Sequence, residues 1–287
     1  MQLTTADGFT TVADKPTPEE LEAFYKNMYF GEGSQNQYAQ GYTDKEILHK
    51  YIDCHEALEV SGKTAGRLLD VGCGEGFFLK FFSDKGWGVR GLDFTSEGVE
   101  RHFPDLRDKL ETGNLFELLS MEAASGSKYD LVVCNNVLEH VIDPIKLLED
   151  LKGVVAPGGM VRLAVPNDGS WLQELVVDAG LAKKDFWVCP PEHLSYFTVE
   201  TLQALLQRVG WHTLEILTAF PIELYMLNEA SSYTKDRSLG RKAHFARVEF
   251  EVGLYEQSLE KLIAFRRGCS AAGIGRNMAA YMKLGEA

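Results

Sequence analysis

From Arg67 onward, short apolar runs alternate with amphipathic stretches, the rhythm of a doubly wound α/β sheet. Arg67–Val71 reads as a first strand, 75–86 as a Phe-rich helix, Gly88–Asp93 as a second strand, and 95–103 as a helix capped by Thr95 or Ser96. The Leu-Val-Val run predicts a fully buried strand over 129–134. Asp143 followed by Pro144 marks a helix start, and that helix ends before Pro157-Gly158-Gly159, read as a turn. Further strands are expected at 160–165 and Trp211–Thr218, with an amphipathic helix over 198–209 between them and a last strand near 276–283.

Three segments fall outside this rhythm. Residues 1–60 read as a ragged start and two helices, near 17–30 and 43–59, separated by a polar linker. Residues 167–197 carry a helix and then the Cys189-Pro190-Pro191 turn. Residues 221–270 look helical, with Phe245, Val248, Val252, Tyr255, Leu259 and Leu262 spaced by three and four. The expected organisation is an N-terminal helical cap (1–60), a Rossmann-like core (61–220), a helical cap insertion (221–270) and a last core strand (271–287). The fold class is therefore α/β, a Rossmann-like doubly wound seven-stranded sheet with helical N-terminal and C-terminal additions.

Composition narrows the partners. Of 287 residues, 45% are hydrophobic, enough for a full core, and the formal net charge is −13. No basic patch offsets that charge, so a phosphate polymer would be repelled and a small molecule is the expected partner. The five Cys, at 54, 73, 134, 189 and 269, show neither a Cys-x-x-Cys pair nor zinc spacing, which points to free thiols, no metal site and a reducing compartment. With no leader-like start and no apolar stretch of the ~18 residues a membrane span needs, the expected location is the cytoplasm, with no membrane partner and a homodimer left open.

Asp70-Val71-Gly72-Cys73-Gly74-Glu75-Gly76 joins the first strand to the first helix. Glycines there let the backbone approach a ligand that a Cβ would keep away. The dinucleotide pattern G-x-G-x-x-G fails, because its third glycine would fall at Phe77. Asp70 would repel a pyrophosphate and favour a cationic amino-acid ligand.

With these residues the chain resembles the class I S-adenosylmethionine-dependent methyltransferases over roughly 67–218, in the small-molecule, type 11/23-like subgroup. The glycine loop, with Asp70, Gly72, Cys73, Gly74 and Gly76, is similar to that family's first motif. Asp93, with Phe94 after it, occupies the place of the acid that holds both ribose hydroxyls. Asn114 and Leu115 match the adenine-edge position, where Asp is commoner. Asn135 and Leu138-Glu139-His140 match the segment facing the methionine moiety, and Pro157-Gly158-Gly159 matches the turn before the fifth strand. Tyr38 in the N-terminal segment is placed to shield the sulfonium.

The resemblance implies S-adenosyl-L-methionine as cofactor and methyl transfer to a small biosynthetic intermediate. O-methylation of a sugar-like or related metabolite comes first, with N- or C-methylation behind it. Methyl transfer is an in-line displacement, so the protein supplies alignment and, for an oxygen acceptor, a base. His193, in a Pro-x-His-Leu-x-Tyr-Phe segment, reads either as that base or as a residue fixing the Pro-Pro turn. His140 reads as a cofactor or substrate contact or as a helix-start hydrogen-bonding group. Tyr196, Tyr225 and Arg276 are candidate substrate contacts, Arg276 for an anionic group. Two other classes share the core: a nicotinamide-dependent oxidoreductase, against which the glycine spacing counts, and a cofactor-binding protein without turnover.

Overall fold

The computed structural model describes residues 3–6, 8–21, 23–24 and 41–285. The chain opens with a hairpin, β1 (Leu3–Ala6) and β2 (Phe9–Val12), where the sequence had pointed to a ragged start. The hairpin has a mate far along the chain: β2 pairs antiparallel with β8 (Ser195–Tyr196), and Val12 N–H donates to Leu194 carbonyl at 3.0 Å. Of the helix expected near 17–30, the described residues show helical backbone at 18–21 and 23–24.

Helix α1 (Asp44–Ser61) starts at a Thr43 capping box, Thr43 accepting from Glu46 N–H while the Glu46 side chain accepts from Thr43 N–H. It leads into the main sheet: β3 (Arg67–Val71), α2 (Phe77–Asp84), β4 (Gly88–Asp93), α3 (Glu97–His102), β5 (Leu110–Thr112), α4 (Leu115–Ala124), β6 (Tyr129–Asn135), α5 (Pro144–Lys152) and β7 (Val155–Pro166). Helix α6 (Trp171–Asp178), helix α7 (Val199–Arg208) and β9 (Trp211–Thr218) follow. Short 3-10 turns then lead to α8 (Gly240–Gln257) and α9 (Leu259–Ala271), and β10 (Asn277–Leu284) ends the sheet.

The seven strands lie in the order β5-β4-β3-β6-β7-β10-β9, and only β10 runs antiparallel to its neighbours. Two apolar layers cover the faces. Leu69, Val71, Val132, Val161 and Leu163 pack under α4, α5 and α7; Leu68, Leu131, Val133, Met160 and Tyr281 pack under α1, α2 and α9. Phe78, Phe81 and Phe82 of α2 belong to the second layer, as their helical spacing implied.

Two boundaries differ from the sequence reading. Pro157-Gly158-Gly159 is no turn before a strand but part of β7, where the register with β6 shifts and Gly158 has φ 69°. Between these pairs β6 advances two residues and β7 five, so the bulge absorbs three extra residues without ending the strand. Helix α2 begins at Phe77 rather than 75, because Gly76 sits in the left-handed region at φ 82°. The five cysteines carry no disulfide, and no described helix is long and apolar enough to cross a membrane.

One close approach was not singled out in the sequence. A Cβ on Gly98, in the first turn of α3, would meet the Gly74 carbonyl oxygen at 2.3 Å, so the helix seats against the glycine loop only without a side chain. Gly98→Ala is expected to lower stability by about 1–3 kcal/mol, as overpacking does. Urea denaturation of the two proteins measures it, and equal midpoints would mean that the helix shifts freely.

Candidate functional site

The first half of the site is built at the carboxyl ends of β3 and β4. The loop glycines have φ of 75°, 52° and 82° at Gly72, Gly74 and Gly76, a turn that other residues adopt only with strain. Their N–H groups are largely committed within the protein. Gly72 and Cys73 donate to the Leu92 carbonyl at 2.7 and 3.3 Å, and Gly74 donates to Asp93 Oδ2 at 2.8 Å. This corrects the expectation of backbone amides aimed at a ligand: the glycines bring the loop onto β4 instead. A Cβ at Gly72 would meet Val137 Cγ2 at 2.3 Å, whereas one at Gly74 would meet nothing within 4 Å. The Gly74 side therefore borders open space, and Cys73 turns into the core.

Asp93 is 8% exposed and also accepts from Thr95 N–H at 3.1 Å, so its carboxylate is held rigidly with one lone pair per oxygen left over. Phe94 and Leu115 are half-buried at the ends of β4 and just beyond β5. Asn114 caps α4, its Oδ1 accepting from Phe116 and Glu117 N–H at 3.0 and 3.3 Å, which leaves its NH₂ as the group open to a ligand. Asp70 is buried at the end of β3. Burial, then the nearby Asp93 charge, pushes its carboxyl up to about 8, with Arg162 opposing. A ligand ammonium beside Asp70 would reverse that shift. The buried acid, the clamped Asp93 and the open side of Gly74 fit a cationic, ribose-bearing ligand. Tyr38 lies outside the described residues.

The second half gathers where β6 ends. Leu194 and Ser195 N–H donate to the Glu139 carbonyl at 2.7 and 3.2 Å, tying the Glu139-His140 turn to the His193 segment. The N-terminal hairpin braces this segment from the other side, Thr11 Oγ1 donating to the Leu194 carbonyl at 2.8 Å. The two imidazoles meet edge to face with centroids 4.8 Å apart. His140 Nδ1 pairs with the Glu192 carbonyl at 2.6 Å, which places its proton on Nδ1. His193 Nδ1 lies 3.8 Å from Asp168 Oδ2, and Asp168 is paired with Arg276.

The rings differ in charge. Burial, then the charge of His193, holds His140 down to about 4. For His193 burial also favours the neutral form, but Asp168 and then Cys189 overcome it and raise the imidazole to about 10. These shifts favour the imidazolium form of His193 and the neutral form of His140; the sequence had left His193 as a base or as a residue fixing the Pro-Pro turn. Buried Glu139 is pushed up to about 8, burial being the main cause, and its two carboxyl oxygens have no hydrogen-bond partner. Nitrogen and oxygen atoms of Glu139, His140 and His193 lie within 4.8 Å of one another, close enough to converge on a divalent ion; the sequence spacing had given no sign of a metal site.

The remaining substrate candidates separate. Tyr196 Oη donates to the His193 carbonyl at 2.8 Å and accepts from Cys189 N–H at 3.2 Å, so it shapes the turn. Arg276 is occupied by Asp168 rather than waiting for an anion. Tyr225 stacks on Phe220 with centroids 5.5 Å apart, in an aromatic group with Phe250 and Phe265. Asn135 accepts from Arg162 Nη1 at 2.5 Å.

Sequence reasoning missed Asp168, Glu192 and the hairpin; the only signal for Asp168 was its place just past a strand end. A family model described as a methyltransferase domain matches residues 44–216. A ubiquinone biosynthesis O-methyltransferase of Paraburkholderia phymatum is 35% identical over 123 residues, 41% of this chain and 50% of its own length. One from Vibrio cholerae is 34% identical over 114 residues, 38% of this chain and 45% of its own. The chain spans about half the length of the curated relatives it matches. Among solved structures, a 1,6-didemethyltoxoflavin-N1-methyltransferase from Burkholderia thailandensis superposes with TM-score 0.52 at 12% identity, covering 97% of this chain and 95% of that one. A SAM dependent methyltransferase from Archaeoglobus fulgidus gives 0.51 at 16%, covering 91% and 99%.

Asp70, Glu139 and His193 all hold protons in the folded chain that they release when unfolded. Groups with raised folded pKa values favour folding at low pH, so stability is expected to fall as pH rises from 6.5 toward 10. Thermal unfolding across that range checks this; a flat or rising Tm contradicts the charge states.

Proposed function

The chain belongs to the methyltransferase-domain family, and from that premise we propose that it transfers a methyl group from S-adenosyl-L-methionine to a hydroxyl of a small molecule. The observation that carries the oxygen acceptor is the His140–His193 pair, one ring neutral and one charged, at the end of β6. The relatives named as O-methyltransferases support the same choice. A sugar-like or related biosynthetic intermediate is the finer reading; N-methylation needs such a base less often than an oxygen or a carbon acceptor does.

The cofactor, when bound, supplies an activated methyl group on a sulfonium. The chain does the rest. Asp70 pairs with the ammonium of the methionine moiety, and Asp93 accepts from the ribose hydroxyls with the lone pairs that Gly74 and Thr95 leave it. Asn114 NH₂, Phe94 and Leu115 border the adenine. His140, its proton fixed on Nδ1 by Glu192, takes the acceptor hydroxyl proton at Nε2. His193, held charged by Asp168, stabilises the negative charge that grows on that oxygen. The unpaired Glu139 oxygens favour one second reading, in which a divalent ion between Glu139, His140 and His193 takes over the work of the imidazolium.

Asp93→Ala is expected to weaken S-adenosylhomocysteine binding by about 2 kcal/mol or more, the scale of charged hydrogen bonds. Calorimetry reads it, and unchanged affinity removes the ribose assignment. His140→Ala should keep that affinity while methyl transfer to a panel of hydroxylated metabolites, followed with labelled donor, falls about 10²–10⁴-fold. Turnover at the level of the unaltered protein would end the base role. Transfer lost to a chelator and restored by a divalent salt would select the second reading.

A further inference from the structure

Beside Asn135 lies a small cleft, about 80 Å³, lined by Asp53, Asn136, Arg162, Ala164, Ala219 and Arg266, among others. Its floor is read directly from the sheet register. Asn135, Ala164, Ala279 and Leu217 are cross-strand partners in one row over β6, β7, β10 and β9. Two residues below, on the same face, runs the row Val133, Arg162, Tyr281 and Glu215. The two adjacent alanines of the upper row give the cleft an apolar floor, bordered by polar groups.

Those polar groups form a buried set. Arg266 donates to Asp53 Oδ1 and Glu56 Oε2, both at 2.7 Å, and to Glu251 Oε1 at 3.0 Å. Tyr281 Oη donates to Glu56 Oε1 at 2.7 Å, and His49 meets Glu251 at 2.8 Å. Arg162 spends Nε on Tyr281 and Nη1 on Asn135. Its Nη2 is left 3.7 Å from Asp53 Oδ2 and 3.6 Å from Glu56 Oε1, attracted by both and beyond hydrogen-bonding reach of either. The Asp53 side chain is 38% exposed, the most open member of a set from which Arg162 and Arg266 also line the cleft.

A donor and an acceptor thus sit side by side with capacity to spare. A hydroxyl oxygen about 2.8 Å from each would accept from Arg162 Nη2 and donate to Asp53 Oδ2. A carboxylate would meet Asp53, and an ammonium would meet Arg162, in a place where both charges are already balanced by neighbours. Resting on the methyltransferase reading above, we propose that this cleft seats the acceptor and that Asp53 and Arg162 select an uncharged, hydroxyl-bearing ring over the matching acid or amine. The cleft is next to the histidine pair along the chain: Asn277 on its wall follows Arg276, the partner of Asp168.

The test uses the full chain saturated with S-adenosylhomocysteine and four probes measured by calorimetry or ligand-observed NMR: catechol, methyl glucoside, benzoate and benzylamine. At least one hydroxyl probe is expected to bind ten times more tightly than benzoate and benzylamine. Catechol ahead of methyl glucoside marks a phenolic acceptor, the reverse a sugar-like one. Asp53→Asn should weaken the bound hydroxyl probe about tenfold with S-adenosylhomocysteine affinity unchanged. Ala219→Leu, at a half-buried position on the wall, should block that probe without touching the charges. Benzoate or benzylamine equalling the hydroxyl probes, no hydroxyl probe binding, or both variants binding like the parent overturns the proposal. Failure of the parent to bind S-adenosylhomocysteine at all overturns the methyltransferase reading instead.

Discussion

Two guanidiniums under the added helices decide how this molecule is put together. Arg162, on β7, and Arg266, on α9, are each about 3% exposed, and a buried arginine is tolerable only when carboxylates and hydrogen-bond acceptors surround it. The carboxylates come from outside the sheet: Asp53 and Glu56 from α1, Glu251 from α8. Satisfying the charges therefore fixes the position of three helices against β7 and β10. Such a set adds little net stability over apolar packing, but a helix displaced by one turn would leave a charge unpaired, at a cost of several kcal/mol. The ion-pair set acts as a register device, and Asp53 at its edge becomes part of the cleft wall as a consequence.

The other half of the molecule is organised by close backbone approach. The glycine loop closes on β4 through Gly72 and Cys73 to the Leu92 carbonyl and through Gly74 to Asp93. Gly98 lets α3 rest on the same loop. Asp93 is thereby structural and still borders the open side of the loop: one oxygen holds the loop through Gly74 while the other accepts from Thr95. Glu75, in the same loop, is closed off by Tyr42 Oη at 2.5 Å and Lys50 Nζ at 2.7 Å, so it supports the loop from α1 and its approach. The glycine-loop side depends on what the chain lacks, side chains at a few positions; the Arg162–Arg266 side depends on charges brought from afar.

That contrast explains what could be read from the residues alone. The strands Arg67–Val71, Gly88–Asp93 and Trp211–Thr218 coincide with the structure because turn formers such as Gly86 and Gly210 bound them and each buries an apolar end, although Arg90, His212 and Glu215 interrupt two of the runs. The loop and Asp93 were legible because their partners are near in sequence. Pro157-Gly158-Gly159 misled, since a bulge and a turn use the same residues. The hairpin at Leu3–Val12 escaped because its Thr-rich strands find their apolar cover, Phe197 and Leu194, only after folding. Asp53 and Glu56 were not singled out in the sequence; the overlooked hint was that they share a stretch with buried Ile52, Cys54 and Ala57.

The histidines carry the same lesson into chemistry. His140 and His193 are one residue type, with ring centroids 4.8 Å apart, yet their protons are held in opposite senses. Proximity itself requires this: two imidazoliums at that distance in a buried place repel, so whichever ring has the carboxylate takes the proton and the other loses it. Asp168 settles the choice for His193, and Arg276 keeps Asp168 ionised and in place. The Glu192 carbonyl settles the tautomer of His140. A change at Asp168 would therefore act on His140 without touching it, because removing the proton from His193 removes the second cause, after burial, that keeps its neighbour neutral. The two rings are one electrostatic device, set by residues 25 and 52 positions away from them in the chain.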